Sequence, residues 1–116
     1  MKTQHIDKEF LNNATGGSAE MIMTLAEIFR EQIPEFSEKM ETCLSQKNYL
    51  ELSRVAHTAK SSCAYLGITE LRDKLERLEI NTKTGANSEE FVSIVADFKR
   101  IANESMTELE EIITTL

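Results

Sequence analysis

His57 lies in the stretch RVAHTAKSSCAYLG, Arg54 to Gly67, with Lys60 three residues on and Ser53, Ser61 and Ala64 one or two helical turns away. An α-helix advances about 100° per residue, so spacing fixes direction around its axis. Relative to His57, Ala64 falls at about −20°, Ser53 at about −40° and Ser61 at about 40°, with Lys60 at about −60° and Arg54 at about 60°. Leu52, Val55, Ala56, Ala59, Cys63 and Leu66 occupy the arc from about 160° to 260°, almost opposite the imidazole. The histidine therefore faces outward, among neighbours too short to cover it, with two cations at its margin. Imidazole offers a nucleophilic nitrogen near neutral pH without a helper base. Phosphoryl transfer asks mainly for positioning and nearby positive charge. The pattern suits a histidine that holds a phosphoryl group, with the flexible ammonium of Lys60 reaching its oxygens. Arg54 has the mirrored geometry for phosphate or partner contact.

Other chemistries find less support. His5 and His57 are the only histidines, and no inward Glu-x-x-His pair accompanies them, so no metal site is expected. His5, near the terminus, is expected to face solvent. No nucleophile–histidine–carboxylate set suggests a hydrolase. Gly16, Gly17, Gly67 and Gly85 form neither a phosphate-binding loop nor a nucleotide lid, so ATP-dependent kinase activity is not expected.

The elements that carry His57 read as helices. IDKEFLNNATGG has room for a short one anchoring Phe10 and Leu11. From Ser18, Ile22, Leu25, Phe29, Ile33, Phe36, Met40 and Cys43 step by three or four and keep one stripe turned to a partner. Pro34 inside this helix removes a backbone bond to Arg30 and predicts a kink. SQKNY makes a turn, and a third helix runs from about Tyr49 to Leu66. Gly67 suits the left-handed position that ends it. A fourth helix carries Ile68, Leu71, Leu75 and Leu78 and loses its pattern before Gly85. Asn87 and Glu90 have the spacing of a capping box for the fifth. That helix carries Phe91, Ile94, Val95, Phe98, Ile101, Leu109, Ile112, Ile113 and Leu116. Short connections make successive helices antiparallel neighbours. The expected fold is all-α: an up-and-down antiparallel four-helix bundle with a short additional N-terminal helix.

The 116 residues suit a single domain, 1–116. The net charge of −7 argues against a nucleic-acid partner, whose phosphates demand a basic surface. Residues 47–77 nonetheless net +2, leaving −9 on the remainder, so His57 sits on a locally positive island. No apolar run approaches the roughly 20 residues of a membrane span, and MKTQHIDKEF lacks the apolar core of a secretory signal. A cytoplasmic protein with Cys43 and Cys63 reduced in its core is expected. The bundle closes its own core, so a monomer is expected.

AHTAKSSCAYLGITELRDKLERLE, Ala56 to Glu79, resembles the signature of histidine-containing phosphotransfer (HPt) domains. The matching elements are Ala56-His57, Lys60, the small pair Ser61-Ser62, Gly67, Leu71 and Leu78-Glu79. The flanking helices, including the long one with Pro34, fit the family plan. The resemblance implies that His57 is phosphorylated at Nε2 and exchanges phosphate with the aspartate of a response-regulator receiver domain. The receiver stands alone or within a hybrid sensor histidine kinase. The resemblance also implies that Lys60 steadies the phosphoryl group and that small Ser61 leaves room for the receiver. Magnesium would be held by the receiver, with no cofactor on this chain. Ser61 stands where glycine is commoner, and Ala59 where a larger aliphatic is common; neither closes access to the ring.

Receiver docking needs an apolar patch beside the histidine. Met23 and Ile28 fall roughly 100° or more from the centre of the core stripe, and Leu50 projects on the histidine side. With Ser53, Arg54, Ser61 and Ala64 they are the docking candidates. The alternative is a helical adaptor or scaffold in which His57 is a surface accident or a degenerate phosphotransfer site.

Overall fold

The computed structural model of the chain describes residues 5–116; the first four residues of MKTQHIDKEF, on which part of the signal-sequence reading rests, lie outside the described residues. The elements are α1 (Lys8–Thr15), α2 (Ala19–Gln46), α3 (Tyr49–Tyr65), α4 (Thr69–Thr84) and α5 (Phe91–Thr114), with a 3-10 turn at Ser88–Glu90 before α5. No strand occurs among the described residues.

Local chemistry sets the boundaries. Ser18 and Asn48 accept the amides of Met21 and Glu51, capping α2 and α3. The helix α2 continues unbroken through Pro34, which sits on its exposed side. At the end of α3, Ile68 N–H donates to Cys63 O at 3.0 Å and Gly67 N–H to Ala64 O at 3.2 Å. These paired bonds form a Schellman closure around Gly67, whose φ is +74°.

The entry to α5 differs from expectation. Asn87 makes no side-chain capping bond; its φ is +55° and its carbonyl accepts Glu90 N–H at 2.9 Å. A left-handed residue cannot present its side chain to the first turn as a cap does, so the chain enters α5 through a 3-10 turn. At the other end α5 stops at Thr114, and Leu116 is exposed.

The α2 helix packs against α3 and α5, and α4 against α3 and α5. The four long helices thus form a closed ring in chain order, an up-and-down bundle. Its core holds the expected stripes: Ile22, Phe29, Ile33, Phe36, Met40 and Cys43 from α2, Leu52, Val55, Ala56, Ala59 and Cys63 from α3, and Leu71, Leu75 and Leu78 from α4. Phe36 meets Phe98 edge-on at 6.3 Å, and Tyr49 meets Phe91 at 5.2 Å. Both cysteines are free and buried. Burial pushes the Cys63 thiol up to about 12. No described helix is long and apolar enough to cross a membrane.

The N-terminal segment departs most from its sequence reading. His5 is held, not frayed: its side chain is only 10% exposed, its Nε2 lies 2.8 Å from Glu104 Oε1, and its Nδ1 lies 3.4 Å from Glu70 Oε1. The backbone N–H groups of His5 and Ile6 donate to the Glu108 carboxylate at 3.0–3.1 Å. Asp7 N–H then donates to Gly67 O at 2.9 Å, tying the segment to the α3–α4 turn. In α1, Leu11 is buried as expected, but Phe10 is 42% exposed. A helix of eight residues presents one narrow face to the bundle, and Leu11 and Thr15, four apart, occupy it.

Candidate functional site

The Ala56, Ala59 and Cys63 stripe fixes the rotation of α3, and with it the outward direction of His57. The imidazole is 61% exposed. Its Nδ1 lies 2.9 Å from Glu79 Oε2, a carboxylate on α4 that is only 13% exposed. Lys60 Nζ donates to the other oxygen, Glu79 Oε1, also at 2.9 Å. One carboxylate therefore bridges the histidine and the lysine. Lys83 Nζ stands 3.8 Å from Glu79 Oε2 as a further cation at the same oxygen.

Partial burial works against a charge on Glu79, but the hydrogen bonds from Lys60 and His57 and the positive charge of Lys60 outweigh it. They hold the carboxyl below the usual carboxylate range. An ionised carboxylate only accepts hydrogen bonds, so the proton on His57 belongs on Nδ1. The lone pair is then on Nε2. A group whose folded pKa is depressed stabilises the fold above its unfolded value, near 4.3, and loses that contribution as pH falls through the folded value. Glu79→Gln is expected to cost about 1–3 kcal/mol near pH 7 by weakening two charge-assisted bonds. The gap from wild type should narrow as pH falls through and below the usual carboxylate range. Denaturant titrations at several pH values check this; a constant gap would contradict it.

Ser61 is exposed and Ala64 half-buried, leaving the ring uncovered. Ser53 is not on that open face. It is 3% exposed, and its Oγ donates to the backbone carbonyl of Glu79 at 3.1 Å. The phase angle of Ser53 is right, but α4 packs over that flank of α3. Arg54, on the opposite flank from Glu79, bonds Glu51 at 3.4 Å and lines a groove between α2 and α3 with Gln32, Glu35 and Thr58. Leu50, Met23 and Ile28 are 64%, 52% and 46% exposed, and Met21 on α2 is also exposed. Gly67 lies buried beneath Asp7 and Phe10. Among the described residues no cluster of three or more His, Cys, Asp or Glu side chains is arranged to hold a metal ion.

The bridging role of Glu79 is the main feature that sequence reasoning missed. Its signal was present: Glu79 follows Leu71 and Leu75 at successive intervals of four. A carboxylate at the edge of an apolar stripe needs a cationic or hydrogen-bonding partner.

Over 56 residues the chain is 36% identical to the phosphorelay intermediate protein YPD1 of Candida albicans, an alignment covering 48% of this chain and 30% of that protein. The chain thus aligns with about a third of the length of that relative. The Hpt domain family matches over residues 24–116, from the first turns of α2 through α5. That match takes in all of the four-helix ring but the first five residues of α2, together with both partners of the His57–Glu79 pair, and the chain belongs to the Hpt domain family.

Proposed function

We propose that this protein is a phosphorelay intermediate that accepts a phosphoryl group on His57 from an aspartyl-phosphate receiver domain and passes it to another receiver. The observation that carries this reading is the exposed imidazole whose Nδ1–H is held by the ionised Glu79. The Nε2 lone pair attacks phosphorus, the P–N bond forms, and the acyl phosphate P–O bond breaks. The receiver's aspartate leaves with the bonding pair. The Nδ1 proton stays on the ring, which becomes a phosphorylated imidazolium, and the carboxylate of Glu79 stabilises the new positive charge. Lys60 already stands at the site and exchanges part of its contact with Glu79 for the phosphoryl oxygens. The reverse sequence delivers the group to a second aspartate. The divalent cation of the exchange belongs to the receiver. The chain relays phosphate and does not take it from ATP, and we place it in the cytoplasm as a monomer.

Incubation with a receiver domain carrying labelled aspartyl phosphate tests the reading. Acid-labile, base-stable label moving to this chain supports it; no receiver-dependent label would overturn it. Labelled ATP alone should leave the chain unlabelled.

Exposed Met23, Ile28 and Leu50, with Arg54, Ser61 and Ala64, supply the docking surface. Met23→Glu or Ile28→Glu places a charge in a desolvated contact and is expected to slow receiver-dependent transfer about tenfold or more. Because both side chains are about half exposed, unfolding midpoints should hold. Unchanged rates would remove them from the interface.

A further inference from the structure

Three side chains of α3 hydrogen-bond across to α4 among the described residues, and all three reach Glu79. Ser53 Oγ donates to its backbone carbonyl at 3.1 Å, while His57 and Lys60 meet its two carboxylate oxygens at 2.9 Å each. The spacing 53, 57, 60 puts them on one stripe of α3. Glu79 is thus gripped at both ends, by its carboxylate at the exposed site and by its main chain beneath it.

The grip on the main chain has consequences for the chemistry. The core that α3 and α4 share is mostly apolar, with Ala56, Ala59 and Cys63 from one helix and Leu71, Leu75 and Leu78 from the other. Apolar contact is non-directional and resists small rotations weakly, whereas a hydrogen bond is directional. A carboxylate lies about 5–6 Å from its helix axis, so a rotation of about 10° moves it by about 1 Å. Directed along the bond, that displacement takes a 2.9 Å contact beyond hydrogen-bond range. The carbonyl of Glu79 also accepts from Thr82 Oγ at 3.0 Å, but Thr82 rides on α4 and turns with Glu79. Among these donors only Ser53 ties the Glu79 backbone to the helix that carries His57.

We infer that Ser53 is a positioning residue for phosphotransfer: by clamping the Glu79 main chain to α3, it keeps that carboxylate on Nδ1 and so keeps Nε2 free for phosphorus. The inference rests on the reading of His57 as the phospho-acceptor. Its primary test needs no phosphate: nitrogen-15 NMR of the His57 ring at a pH where imidazole is neutral reports which nitrogen bears the proton. Wild type is expected to show predominantly Nδ1–H. Ser53→Ala should shift the ring toward a mixture with Nε2–H and lower receiver-dependent transfer about tenfold. Thr82→Val, which removes the other hydroxyl from the same carbonyl, should leave both unchanged. If Ser53→Ala fails to fold, Ser53→Cys keeps the volume, weakens the donor and should shift the tautomers in the same direction. Wild-type tautomers and rates in the folded Ser53 variant, or equal shifts in Thr82→Val, would overturn the inference. A wild-type protein that takes no phosphate would instead sink the acceptor reading.

Discussion

His57→Gln is expected to take no acid-labile phosphoryl label from any receiver, a fall of at least about three orders of magnitude, because the attacking nitrogen is gone. The fold should hardly register the change. The imidazole is 61% exposed, and its Nδ1 meets the Glu79 carboxylate at 2.9 Å. Glutamine retains an N–H donor that can pair the same carboxylate, so stability should stay within about 0.5 kcal/mol of wild type. The combination separates the relay from a helical adaptor. An adaptor would carry no label in either protein, and its partner binding would survive the substitution. Label persisting in the variant would place the acceptor elsewhere.

Gly67→Ala is expected to produce the largest loss of stability among single-methyl changes at the α3–α4 turn. With φ at +74°, any Cβ strains the backbone, and here it would also lie 2.9 Å from the main-chain oxygen of Asp7. Backbone cannot swing aside as a side-chain tip does. The combined cost is about 2–4 kcal/mol, which lowers the melting temperature by about 10 °C or more. Gly85 supplies the control: its φ is +75°, but nothing lies within 4 Å of an added Cβ, so Gly85→Ala should cost only about 1 kcal/mol. Thermal melts of the two variants compare strain alone with strain plus collision. In Gly67→Ala the Asp7 amide, which donates to Gly67 O at 2.9 Å, should also exchange its hydrogen faster. Equal melting temperatures for the two variants would show that the N-terminal segment gives way freely.

The apolar spacing in the sequence was enough to orient the helices. Phe29, Ile33, Phe36 and Met40 on α2 mark the buried side, as do Ala56, Ala59 and Cys63 on α3, and the phase of His57 against the latter put it in solvent. Helical phase describes direction around one axis only; it does not say where a neighbouring helix lies. That is why Ser53 and His57, about 40° apart, have opposite fates: α4 covers the first and leaves the second open. Glu79 was legible as part of a family signature and as a carboxylate on an apolar stripe, but its partners lie 19 and 22 residues away on another helix. His5 carried no local signal, because its carboxylate partners Glu104 and Glu108 lie about a hundred residues further on and depend on how α5 closes the ring. Asn87 shows the reverse error, since correct spacing for a capping box does not supply the backbone conformation that a cap requires.

The most direct measurement is the site of phosphorylation on the labelled protein, read by nitrogen-15 and phosphorus-31 NMR after transfer from a receiver. With the Nδ1 proton held by Glu79, the phosphorus should be bonded to Nε2 of His57. Phosphorus on Nδ1, or on any residue other than His57, would contradict the arrangement of ring, carboxylate and lysine described above.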